Sequence, residues 1–225
     1  MSIAPADIQA ILLSAKVGVV ATLVALPLGF LAAWQLAFGR FKGKLLLELL
    51  FNLPLTLPPV VVGYLLLLLL GSQGLLGSAL DTLGIKIIFT WKAAVIASVV
   101  VGFPLLVRSI RLAMEGIDLH LVQAARSLGA GPLDIIITVI LPLSRRGIMA
   151  GSSLFFARSL GEFGATIIIA GNMPGVTQTL PLAIYDYASS PRGEGTALLL
   201  CGVSILLSLA VLMLHETILQ HKKGA

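Results

Sequence analysis

Long apolar runs separated by short clusters of charge dominate this chain. An α-helix needs about 20 largely apolar residues to cross a hydrocarbon layer roughly 30 Å thick, so runs of that length mark candidate spans. Five emerge, at about 17–38, 44–70, 91–107, 147–170 and 196–219. The second contains Pro54, Pro58 and Pro59, which remove backbone donors and bend a helix, so it reads as a short helix followed by a kinked span. The fifth ends in a basic tail, His221-Lys222-Lys223. The pattern predicts an all-α membrane protein with one transmembrane domain across residues 1–225.

Composition places the chain in a bilayer: 58% of its residues are hydrophobic and 11% charged, with a mean hydropathy of +1.05, outside the soluble globular range. Basic residues are retained on the cytoplasmic side during insertion. One set of loops holds ten of them, Arg40, Lys42, Lys44, Arg108, Arg111, Arg126, Arg145, Arg146, Lys222 and Lys223, whereas the opposite set holds three, Lys86, Lys92 and Arg192. Five spans then put the N-terminus outside, the C-terminus inside and a polar insert, 108–146, in the cytoplasm. The formal charge of +5 follows from these inside loops and does not call for nucleic acid. The leading MSIAPAD has no basic n-region, and the apolar run after it is longer than a signal-peptide core, so a retained span is expected. Lys16 falls at its outer edge, where the stem can follow lipid while the ammonium reaches water. The single cysteine, Cys201, lies in the fifth span and reads as a packing residue.

Catalytic patterns are missing. The chain has no GxxxxGK[ST] phosphate loop and no HExxH, and His120, His215 and His221 lack metal-ligand spacing. No catalytic residue, metal site or bound cofactor is expected, and any nucleotide-driven motor has to be another chain. The insert carries the remaining signal. Ile117, Leu121, Ala124, Ala125 and Leu128 recur at helical spacing, with Asp118, Gln123, Arg126 and Ser127 on the other side. Asp118 suits an N-cap, while Gly129, Gly131 and Pro132 supply a stop and a new start, so two short helices joined at a glycine corner are predicted. The small pair Ala124-Ala125 lets this helix sit close to another surface. Spacing alone leaves open whether that surface is a protein partner or the membrane interface.

The pattern Gln123-Ala124-Ala125, Gly129, Val139, Leu141-Pro142 resembles the EAA loop of permease subunits of bacterial ATP-binding-cassette importers with a type I fold. That signature has Glu and Ile where this chain has Gln123 and Val139. The resemblance implies coupling helices within 117–142 that dock on a cytoplasmic ATPase dimer, with Gln123, Ala124, Ala125, Arg126, Gly129, Leu141 and Pro142 as coupling residues. ATP and magnesium would then be bound by that ATPase. A second stretch, residues 157–185, resembles the fourth span and outer loop of molybdate permease subunits. Sulfate/thiosulfate permease subunits share the part from Arg158 to Gly164, while Gly171-Asn172, Pro174-Gly175 and Thr179-Leu180-Pro181 favour molybdate, with tungstate following by chemical similarity. The implied setting is a bacterial cytoplasmic (inner) membrane, an external molybdate-binding protein and a second copy of the chain.

Arg158 and Glu162 fall near the middle of the fourth run, where each charge costs about 2.5–3.5 kcal/mol on insertion scales. Four residues apart, they share a helix face, and an ion pair would offset much of that cost. The pair either pins helix packing or faces a translocation path or dimer seam. In both cases a neutralised arginine makes a poor tight anion site, so affinity is expected in the external protein. Gly161 and Gly164 have small-x-x-small spacing suited to close helix approach near a homodimer seam. Asn172 opens an outer segment, 172–195, expected to form either a short helix at the outer mouth or a packed loop. A secondary transporter coupled to an ion gradient is the competing class, and it calls for internal repeats that the sequence does not display.

Overall fold

The computed structural model describes residues 4–220, and the basic tail at 221–223 lies outside them. Among the described residues every regular element is helical: α1 (Pro5–Phe38), α2 (Lys44–Thr56), α3 (Pro59–Leu70), α4 (Gly77–Thr82), α5 (Trp91–Glu115), α6 (Leu119–Ser127), α7 (Pro132–Ile135), α8 (Leu141–Leu160), α9 (Gly164–Ile169), α10 (Leu180–Ala188) and α11 (Glu194–Gln220). A π-helical turn, Ile136–Ile140, joins α7 to α8. Three helices are individually long and apolar enough to cross a membrane: α1, α5 and the Glu194–Met213 part of α11. The pair α2 and α3, bent by 115°, passes the same test only when taken together.

The helices depart from the hydropathy runs at several ends, for local reasons. α1 starts at Pro5 instead of near residue 17: proline is pre-set for a first helical position, and Asp7 Oδ2 accepts the Ala4 N–H at 2.8 Å. α5 continues past 107 to Glu115. Its extension is held by charge, because Arg111 pairs with Glu115 at 2.7 Å along the helix and with Glu48 of α2 at 2.6 Å. Arg108 and Arg111 are therefore helical, not loop, residues. The fourth run, expected as one helix over 147–170, is two: α8 ends at Leu160 and α9 begins at Gly164. Pro132 does begin a helix, α7, as the sequence indicates, but that helix does not stay short. The run from α7 through the π-helical turn into α8 is continuous, and the wider turn accommodates Pro142, whose ring would otherwise press on the carbonyl four residues earlier.

The core is the contact of α1, α5 and α8. α1 presents Gly18, Ala21, Ala25, Gly29 and Ala33, all buried and three or four residues apart. Leu106 of α5 fills the space at Gly29, and Phe156 of α8 the space at Gly18. α5 and α8 are equally close. A Cβ at Gly102 would lie 2.7 Å from the Phe155 ring, and one at Gly147 would collide with Ala113 and stand 2.9 Å from the Ser109 carbonyl oxygen. With lipid as apolar as leucine, association depends on such close backbone packing. α2 contributes no buried residue, and besides Glu48 it is tied to α5 by an edge-on contact of Phe51 with Phe103, ring centres 5.4 Å apart.

Replacing Gly147 by Val is expected to destabilise the protein by about 1–3 kcal/mol, because backbone as well as side chain has to move. Gly202 in α11, around which a Cβ meets nothing within 4 Å, is the control: Gly202→Ala should leave the thermal midpoint of the detergent-purified protein unchanged or raised. Equal midpoints for the two variants would contradict close α5–α8 packing.

Candidate functional site

The interruption between α8 and α9 places a carboxylate in the interior. Glu162 is buried to 2% exposure. Its Oε1 accepts the Ala165 N–H at 2.9 Å, capping the start of α9, and its Oε2 lies 2.7 Å from Nη2 of Arg158, which is about one-third exposed. Oε2 meets the guanidinium as a charge, not through an aligned hydrogen bond. The carboxylate thus performs two tasks, satisfying a backbone donor freed by the helix break and balancing the arginine.

The two glycines of this segment differ. Gly164 is buried, and a Cβ there would approach Pro59 Cβ at 2.9 Å and Val60 N at 3.3 Å, both at the start of α3. Gly161 is exposed, its nearest neighbour for a Cβ being the Arg158 carbonyl oxygen at 3.9 Å. Within the chain, close helix approach is therefore made by Gly164 and not by Gly161. Gly63 of α3 reciprocates against Ala165 and Ile168. The second halves of two bent segments, α3 and α9, cross through glycine on both sides.

On the other side of α9 the segment 172–195 forms a turn and then α10, the short helix of the two alternatives. Asn172 Nδ2 donates to Asp186 Oδ1 at 2.8 Å, and Gln178 Nε2 to Asp186 Oδ2 at 2.7 Å. Ser14 Oγ of α1 accepts the Leu180 N–H at 2.7 Å, and Tyr187 donates to the buried Asp7 at 2.9 Å. That hydrogen bond to Asp7, then burial, raises the Tyr187 hydroxyl above the usual tyrosine range. Tyr185 stacks obliquely on Phe163, ring centres 5.3 Å apart, linking α10 to the helix break. Lys16 stands 4.0 Å from the ring centre of Trp91, a cation–π contact with the start of α5.

At the opposite end, Asp118 caps α6 by accepting the His120 N–H at 2.9 Å. Gly129 closes it with φ +86°: its N–H donates to the Arg126 carbonyl at 2.9 Å and the Ala130 N–H to the Ala125 carbonyl at 3.0 Å, a Schellman end that needs the left-handed conformation glycine allows. The face of α6 turned inward consists of Val122 and the half-buried Ala125, following buried Ile117. Leu121, Ala124 and Leu128, expected on that same face, point outward with Gln123 and Arg126. Leu128 is 89% exposed and Leu133 of α7 72%, so the corner offers an apolar tip. Leu141 and Pro142 are exposed at the start of α8, further along the helical run than the corner itself.

Asp7, Glu48, Gln178 and Asp186 were not among the candidate residues. The Asp7 bond to Tyr187 spans 180 residues and the Glu48 bond to Arg111 spans 63, and no local pattern signals either; the bonds of Asp186 stay within its own segment. The small-residue stripe of α1 was open to detection by its spacing. Among the described residues, no group of three His, Cys, Asp or Glu side chains is placed to hold a metal ion.

Comparison with known proteins agrees with this architecture. The chain is 51% identical over 209 residues to a molybdenum transport system permease protein of Escherichia coli (strain K12), covering 92% of this chain and 91% of the relative. It is 49% identical over 211 residues to the protein of that name in Haemophilus influenzae, covering 93% and 92%. Among solved structures, an inward-facing methionine ABC transporter superposes with a TM-score of 0.70 at 17% identity, covering 94% of this chain and 95% of that one. A bacterial alginate ABC transporter in complex with an alginate-bound periplasmic protein gives a TM-score of 0.76 at 17% identity, covering 97% and 80%. Residues 25–223 match the family of binding-protein-dependent transport system inner membrane components, and the chain belongs to that family.

Proposed function

We propose that the chain is the membrane subunit of an ATP-driven importer that carries molybdate across the bacterial inner membrane. The observation that carries this is the match of about half of all positions, over more than nine-tenths of both chains, with relatives named as molybdenum transport permeases. In this reading α1, α2 with α3, α5, α8 with α9, and α11 are the five spans, with the N-terminus outside. The α6–α7 corner faces the cytoplasm and docks on a partner ATPase. A second copy completes the path, and an external binding protein delivers the anion.

The chemistry of the interior suits passage better than capture. A tetrahedral dianion would bind tightly to a free buried guanidinium, but Glu162 holds Arg158 in a pair. A conducting site has to be weak enough to release what enters. Closure of the ATPase dimer on ATP would draw two α6 corners together, and the continuous helical run from α7 into α8 would carry that displacement to the helix break; hydrolysis would reset it.

Two outcomes test the assignment. Ala124 is exposed whereas Ala125 packs on the core, so Ala124→Arg should abolish co-purification of the ATPase and ATP-driven uptake while leaving the thermal midpoint of the permease unchanged. Retained assembly and uptake would remove the docking role. At the break, Arg158→Gln leaves a buried carboxylate without its counter-charge and should destabilise by about 3 kcal/mol or more. Pairing it with Glu162→Gln should recover most of that stability without recovering uptake; recovery of both would reduce the pair to packing.

A further inference from the structure

Between the end of α1 and the α6–α7 corner lies a groove of about 680 Å³. Trp34 and Phe38 of α1 and Ile136 and Ile140 of the π-helical turn line it with apolar surface. Arg40, Lys44 and Arg126 also line it, from three different elements of sequence. Among the described residues none of these three cations pairs with a carboxylate. The acidic residue in the wall, Glu115, is committed to Arg111 at 2.7 Å. The groove therefore presents uncompensated positive charge beside an aromatic and aliphatic surface.

We infer that this groove holds the phosphate of an anionic phospholipid of the cytoplasmic leaflet, its acyl chains lying along α1 and α2. Position and shape of the apolar surface argue for a lipid over a soluble anion. The groove begins where the apolar run of α1 stops, at Phe38, and the basic residues follow directly. Leu28 and Leu31 of α1 are 52% and 53% exposed, and Leu45, Leu46 and Leu49 of α2 are 71%, 64% and 59% exposed, so apolar surface continues outward from both flanks. A free oxyanion has no use for that surface, whereas a diacyl phosphate uses both parts. Basic pockets between helices on the cytoplasmic side attract such headgroups, with each nearby Lys or Arg adding favourable free energy. Filling the groove would brace the α6 corner against the end of α1. The inference rests on the proposed orientation, in which this end faces the cytoplasm.

The test uses the purified complex of permease and ATPase, with native mass spectrometry reading retained lipid. Wild type should retain phosphatidylglycerol in preference to phosphatidylcholine when both are offered in equal amounts. Arg40→Gln combined with Lys44→Gln should weaken that retention roughly ten-fold or more. Millimolar inorganic phosphate should not displace the lipid; displacement would identify a soluble-anion site and overturn the lipid assignment. Equal retention of the two lipids by wild type, or unchanged retention in the double variant, would also overturn it. So would loss of the ATPase from the double variant with lipid retention intact, which would mark the groove as a protein-docking surface. The orientation is read separately: a Lys42→Cys variant labelled by an impermeant maleimide from outside intact cells would refute the topology whatever the lipid result.

Discussion

A helix cannot be interrupted inside a bilayer unless every backbone group freed by the interruption finds a partner within the protein, since each unmet group costs several kcal/mol there. With α2–α3 and α8–α9 as the broken spans proposed above, the rest of this structure depends on how that constraint is met at two places. Between α8 and α9 the carboxylate of Glu162 caps Ala165 and is itself neutralised by Arg158. Between α2 and α3 the Pro58 carbonyl accepts the Val61 N–H at 2.9 Å, and prolines occupy positions where a donor would have gone unmet. The two breaks are then brought together, because Gly164 admits the start of α3 and Gly63 admits α9. Interrupted helices are tolerated where they are buried in protein or line a cavity, and in many transporters they carry the backbone dipoles and charge of the substrate site.

The surrounding bundle holds this junction with small residues. α1, α5 and α8 approach so closely that side chains of one helix occupy the space over glycines of the next, and that density makes the bundle respond to force as discrete bodies instead of yielding locally. The run from the α6–α7 corner through the π-helical turn into α8 leads without a gap from the surface to the break at Gly161. A push delivered at the corner has a rigid path inward, and α10, fastened to α1 through Ser14 and Asp7 and to the break through Phe163 and Tyr185, extends that path to the far face.

What the sequence disclosed and withheld follows from the range of each interaction. Local chemistry was legible: the Asp118 cap, the glycine corner at Gly129 and the i, i+4 relation of Arg158 to Glu162 are each written within a few residues. Hydropathy misplaced ends wherever charge and helix coincide. Arg108 and Arg111 end an apolar run but not the helix, which continues to Glu115 because Arg111 pairs with Glu115 and with Glu48. The break at Gly161 was hidden for the opposite reason, since the apolar pattern continues across it and the two glycines imitate a helix-packing motif. The faces of α6 were partly reversed because Val122 and Ala125 find a core only once α1 and α7 are in place, leaving Leu121 and Leu128 outside. Bonds such as Asp7 to Tyr187 exist only in the folded chain and have no local signature.

The central claim is that work done by a separate ATPase moves an oxyanion past this paired break. The direct measurement is accumulation of labelled molybdate in proteoliposomes containing the permease, its ATPase and the binding protein, with tungstate or sulfate as competitor and with ATP or an ion gradient as the energy source. The account predicts uptake with ATP alone, suppressed by tungstate and little affected by an excess of sulfate. Uptake driven by an ion gradient without ATP, or suppressed equally by sulfate, would contradict it.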